Sequence, residues 1–194
     1  REAATQKSLD VDAVLAELSQ LQRSSSLPGV TSPTELIDHI LERYHEVHRV
    51  QLPELIRMAR RVEAVHRDHP LVPAGLADTL EAMHEELLSH MQKEEVVLFP
   101  MLKAGGNPFV GQPIGMMRAE HVDHGASLDK LNALTHDATP PQGACNTWRA
   151  LYAGIAQLGE DLINHIHLEN NVLFPQFEAA ATTQGCGTSA CSCN

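Results

Sequence analysis

From Ser32 onward the apolar residues of this chain recur every three to four positions over long stretches, the period of helices that each turn one face to a core. The first such stretch opens at Ser32-Pro33-Thr34-Glu35, a capping box with proline at the first helical position. It predicts a helix over about residues 33–67, with Leu36, Ile40, Tyr44, Val47, Leu55 and Ile56 as its core stripe and a kink at Pro53. The pattern resumes over about residues 74–103, 114–136 and 144–180, broken at His69-Pro70-Leu71-Val72-Pro73, at Gly105-Gly106 and at Thr139-Pro140-Pro141. Four long helices with short connections predict an all-α, up-and-down four-helix bundle. A shorter amphipathic helix over about residues 9–22, with Leu9, Val14, Leu15, Leu18 and Leu21 inward, is expected to lead it. The expected organisation is therefore a leading helix and linker over 1–30, the bundle over 31–180, and a disordered Gly/Ser/Cys tail over 181–194.

Composition narrows the functional classes. The 194 residues are 43% hydrophobic but only 4% aromatic, which suits helices better than strands. Fourteen basic against 25 acidic residues give a formal charge of −11, and no basic cluster could neutralise phosphates, so neither nucleic acid nor an anionic membrane is expected as a partner. No apolar run approaches the ~20 residues of a membrane-crossing helix, and no signal peptide is visible. The chain opens at Arg1 rather than Met and is expected to have lost its true start. Cys145 stands apart from Cys186, Cys191 and Cys193 in the tail, which is not a disulfide framework and predicts a reducing, cytoplasmic home.

The chemistry lies in a repeat. Ser89 to Pro100 contains His90, Glu94 and then Val97-Leu98-Phe99-Pro100; Asn164 to Pro175 contains His165, Glu169 and then Val172-Leu173-Phe174-Pro175. Four residues on a helix span about 400°, so each His and its Glu lie one turn apart on one face. The proline closing each copy is expected to stop its helix. Upstream of the first copy stands His45-Glu46-Val47-His48, and upstream of the second His121-Val122-Asp123-His124. The bundle thus reads as two pseudo-symmetric halves whose four inner faces all carry histidine.

One His from each upstream pair, with His90, Glu94, His165 and Glu169, offers four imidazoles and two carboxylates. If both Glu bridge, these give roughly eight bonds to two metal ions that together want about twelve, so open positions remain beside an oxo or hydroxo bridge. Mixed imidazole and carboxylate ligands with open positions suit two iron ions better than calcium or magnesium, while zinc prefers a four-coordinate site. Glu85, Lys93 and Glu95 read as a solvated face, Met91, Met116 and Met117 as core, and Tyr44 as packing.

These segments, together with Arg43 to Leu55, Met83-His84-Glu85-Glu86-Leu87 and Ala119-Glu120-His121, resemble the Repair of Iron Centers family, hemerythrin-like di-iron proteins of bacterial nitrosative and oxidative stress responses. The resemblance covers about residues 9–178. It implies His45 and His121 as the ligands of the upstream pairs, beside His90, Glu94, His165 and Glu169, with bridging roles for the two Glu. It also implies Glu86 and Glu120 as acidic residues leading to the site. Family members usually begin with a small domain bearing a Cys-Cys-Gly-Gly motif, which would precede Arg1, and the Cys-rich tail is outside the family pattern. The function the resemblance implies is repair of apo or damaged iron–sulfur proteins by iron donation. The alternatives are NO binding, scavenging or enzymatic reduction at a fixed di-iron site and, third, reversible O2 binding.

Overall fold

The computed structural model describes residues 32–178; the expected leading helix and the Cys-containing tail lie outside them. The described residues form four helical rods. The first, α1, runs continuously through Pro33–Ile40, Leu41–His45 and Glu46–Val65. Ser32 caps it: its Oγ accepts from the Glu35 N–H at 3.2 Å while a Glu35 carboxylate oxygen accepts from the Ser32 N–H at 3.1 Å. Such a cap contributes about 1 kcal/mol. Rod α2 runs through Leu76–Lys93, Glu94–Leu98 and Phe99–Lys103, α3 is Gly111–Thr135, and α4 runs through Asn146–His167 and Leu168–Leu173.

Pro53 lies inside Glu46–Val65 and the helix continues through it. Pro53 is on the solvent side, so water can satisfy the Arg49 carbonyl that its ring leaves without a donor. Pro100 does not stop its helix as expected, and a further helical turn follows Pro175 at 175–178. The physical reason is a widened turn just upstream of each. The Phe99 amide bonds back to the Glu94 carbonyl and the Phe174 amide to the Glu169 carbonyl, five residues instead of four. The same i→i−5 bond runs from Glu46 to Leu41. Rod α2 ends where predicted: Gly105 and Gly106 take φ of 93° and 77°, and the Gly106 amide returns to the Met101 carbonyl.

Rod α1 packs on α2 and α4, α2 on α3, and α3 on α4, which closes an up-and-down bundle. The core has two parts. Leu52, Leu55, Met83, Leu87, Leu131, Trp148, Leu158 and Leu162 fill one end, and Leu36, Ile40, Tyr44, Phe99, Ile114, Leu173 and Phe174 fill the other. Each rod contributes to both parts, and between them it places its buried histidine. Val47 and Ile56, expected in the stripe, are only half-buried, and His45 and His48 take the inner face beside them.

Candidate metal centre

Six buried side chains meet at the waist of the bundle. His45 comes from α1, His90 and Glu94 from α2, His121 from α3, and His165 and Glu169 from α4; none is more than 4% exposed. They fall into two quartets, His45/Glu94/His165/Glu169 and His90/Glu94/His121/Glu169, each with ligand-capable atoms within 4.8 Å of one another. Both carboxylates belong to both quartets. His45 Nε2 is 3.2 Å from His165 Nε2, and His90 Nε2 is 3.2 Å from His121 Nε2. The structure thus brings together the four residues of the repeated motif and the two, His45 and His121, that the family resemblance implies.

The outer ring nitrogens settle what the inner ones can do. His45 Nδ1 lies 2.7 Å from Glu95 Oε1, His90 Nδ1 2.9 Å from Glu120 Oε2, and His121 Nδ1 3.0 Å from Asn170 Oδ1. An acceptor at Nδ1 assigns the proton there, so three Nε2 lone pairs point inward. His121 Nε2 then faces Glu169 Oε2 at 3.0 Å, an acceptor against an acceptor, and Glu169 Oε2 and both Glu94 oxygens have no hydrogen-bond partner. Buried acceptors crowded together without donors are costly, and cations between them remove that cost. The donor set therefore fits metal ions. His165 differs, for its Nδ1 has no partner and Tyr44 stacks flat on its ring at 5.3 Å.

Electrostatics agree. Burial, reinforced by the neighbouring His165, lowers the His45 imidazole to about 4, and burial lowers His90 to about 4 as well. Both rings are neutral at pH 7, as ligation requires. Glu94 is pushed well above the usual carboxylate range, first by burial and then by the Glu169 carboxylate. Burial would raise Glu169 too, but the His165 ring, its Nε2 3.2 Å from Glu169 Oε1, holds it well below.

The remaining expectations divide. Glu120 is partly buried, between His90 and the Lys93 ammonium at 2.5 Å. Glu86 is exposed and lines a cavity of about 630 Å³ between α2 and α3, as does Glu120. Glu95 and Lys93 are not the solvated face expected of them: Glu95 joins His45 to Arg49 (2.6 Å), and Lys93 anchors Glu120. The sequence reading misses the support that Glu95 and Asn170 give the rings, although a signal exists: each directly follows the shared carboxylate of its motif, Glu94-Glu95 and Glu169-Asn170.

A four-helix bundle holding paired His/Glu quartets at its waist defines a class, and the chain belongs to it: residues 36–177 match the hemerythrin HHE cation-binding domain. The centre is a metal-binding site. Within that class the chain is similar to proteins named iron–sulfur cluster repair protein YtfE. It is 50% identical to that of Dickeya chrysanthemi over 177 residues and 52% identical to that of Yersinia pseudotuberculosis over 177 residues. It is 51% identical over 176 residues to that of Citrobacter koseri. Each match covers 90% of this chain and 80% of the relative. With them it belongs to the Repair of Iron Centers family. Among the described residues no helix is long and apolar enough to cross a membrane.

Proposed function

We propose that this protein holds two iron ions, bridged by Glu94 and Glu169, and repairs damaged iron–sulfur clusters by giving up iron to them. The observation that carries the reading is that both buried quartets share the same two carboxylates. In it, His45 and His165 hold one ion and His90 and His121 the other, with Glu95, Glu120 and Asn170 fixing three of the rings through their outer nitrogens. Iron is cargo here, and the choice of iron rests on the mixed imidazole and carboxylate donors, which leave each ion positions to spare. The repair role draws support from relatives about half identical over most of their length. The acceptors are apo or damaged iron–sulfur proteins. A cytoplasmic setting suits Cys145, a free thiol among the described residues.

The experiment loads the protein anaerobically with ferrous iron, then counts iron per chain before and after incubation with an apo iron–sulfur protein and sulfide. The expected outcome is about two irons per chain falling towards one or none as cluster forms on the acceptor. Iron retained in full would overturn donation. The ligand assignment has its own check. His90→Ala and Glu169→Ala are each expected to lose most of the iron while keeping the helical circular dichroism of the parent. Full loading of both variants would reject the assigned ligands.

A further inference from the structure

At the end of the bundle filled by Trp148, α1 finishes beside the start of α4. His66 follows the last residue of α1, and Cys145 is the N-cap of α4. His66 Nε2 lies 3.2 Å from Cys145 Sγ. His66 is 21 residues beyond His45 and Cys145 is 20 before His165. At about 1.5 Å per helical residue, the pair stands about 30 Å from the metal centre. An N-cap is a place for Ser, Thr, Asp or Asn, whose oxygen accepts from the free amides of the first turn. The Cys145 side chain caps none of them and turns to the imidazole instead, a local rule broken as it is at functional sites. The imidazole is itself held in place: Trp148, 1% exposed and the one tryptophan of the chain, lies against it at 4.9 Å between ring centroids. The pair opens on a cavity of about 220 Å³ lined also by Arg61, Val62, Val65 and Thr147. Arg57 and Arg60, on the same rod, are tied to Glu54 and Glu81. Arg61 has no carboxylate partner among the described residues. Nucleophile, base, cavity and free cation thus converge at one place.

We infer that Cys145 and His66 form a thiol–disulfide exchange site that takes a small disulfide bearing carboxylates. A nucleophile with a base in hydrogen-bond reach, the base oriented by a third group, is the arrangement such attack needs. The thiolate is the attacking form, and His66 Nε2 takes the proton that Sγ gives up. Sγ then attacks one sulfur of the disulfide, a new S–S bond forms as the old one breaks, and the departing thiolate takes the proton from His66. One thiol and one disulfide give a mixed disulfide on Cys145 and one small thiol, so no further oxidant enters. The cavity is smaller than the ~300 Å³ at which pockets begin to enclose whole ligands. It houses the half that becomes attached, while the leaving half stays in solvent. Arg61 supplies the guanidinium for a carboxylate of the attached half.

The test uses the full chain carrying Cys186→Ser, Cys191→Ser and Cys193→Ser, so that Cys145 is its one thiol. The probe is dithiobis(nitrobenzoate), a disulfide with two carboxylates whose leaving thiolate is coloured; dithiodipyridine, which has none, is the control. Trp148 fluorescence, three residues from the thiol, reads the same event locally. Cys145 is expected to react with the carboxylated probe about tenfold or more faster in the folded protein than in the same chain in urea. Equal rates would overturn the site, and that comparison needs no further variant. His66→Gln, checked for unchanged helical circular dichroism, is expected to slow both probes by about tenfold or more. An unchanged rate in that variant would reject His66 as the base. Arg61→Gln is expected to slow the carboxylated probe alone, by about two- to fivefold, the size of an exposed ion pair. Slowing of both probes alike, or of neither, would overturn the preference for carboxylates.

Discussion

At the scale of single residues, the centre depends on acceptors that the motif spacing does not announce. Glu95 Oε1 accepts a hydrogen bond from His45 Nδ1–H at 2.7 Å and is itself gripped by Arg49. It fixes both the tautomer and the orientation of the ring, and its negative charge makes Nε2 a better donor to metal. Glu95→Ala is therefore expected to weaken metal binding by about 10–100-fold with the fold intact. Competition against a chelator of known affinity measures it, and an unchanged metal affinity would remove Glu95 from the centre. Asn170 does the same for His121 through an amide oxygen, without the charge. His90, Glu94, His165 and Glu169 were legible because helical spacing puts His and Glu on one face twice over, whereas His45 and His121 were singled out from their pairs only by the family resemblance. Glu95 was not, because its own helix places it beside solvent and only the packing of α1 against α2 brings His45 to it.

At the scale of the element, the four rods follow from apolar periodicity, the Ser32 capping box and the glycines after α2. The three widened turns did not, because a period of 3.6 has no room for an inward spacing of five. The register slips there: His90 to Glu94 is four residues, but after Glu94 both Leu98 and Phe99, four and five residues on, are buried, with Val96 and Val97 left exposed in between. Insertions of this kind cluster at functional sites, and here they fall at His45, Glu94 and Glu169. Deleting Val97 turns the five-residue turn into an ordinary one and keeps Leu98, Phe99 and Leu102 on the core face. The deletion is expected to leave helix content unchanged while moving Glu94 relative to the four imidazoles. Metal affinity should drop by about tenfold or more, as for other losses of support at a metal site. Wild-type affinity in the deletion variant would mean that the widened turn is packing alone.

At the scale of the whole molecule, the bundle sacrifices stability at its waist to keep a set of neutral imidazoles between two apolar plugs. His45 and His90 are lowered to about 4, and His48 and His124 to about 3, in each case first by burial. In the unfolded chain the same groups titrate near 6.5. Between those limits the unfolded chain binds more protons than the folded one, so stability rises with pH and is lost as pH falls. Glu94, raised by burial, works in the opposite direction, one group against four, and Glu169, lowered by His165, adds to the trend. Each imidazole should cost about 1–2 kcal/mol between pH 7 and pH 5. Urea unfolding of the metal-free protein is therefore expected to shift to much lower denaturant at pH 5, with a loss of several kcal/mol against the ~5–15 kcal/mol typical of a domain. A midpoint that stays flat from pH 7 to pH 5 would mean that these rings are protonated in the folded state, and protonated rings could not serve as ligands.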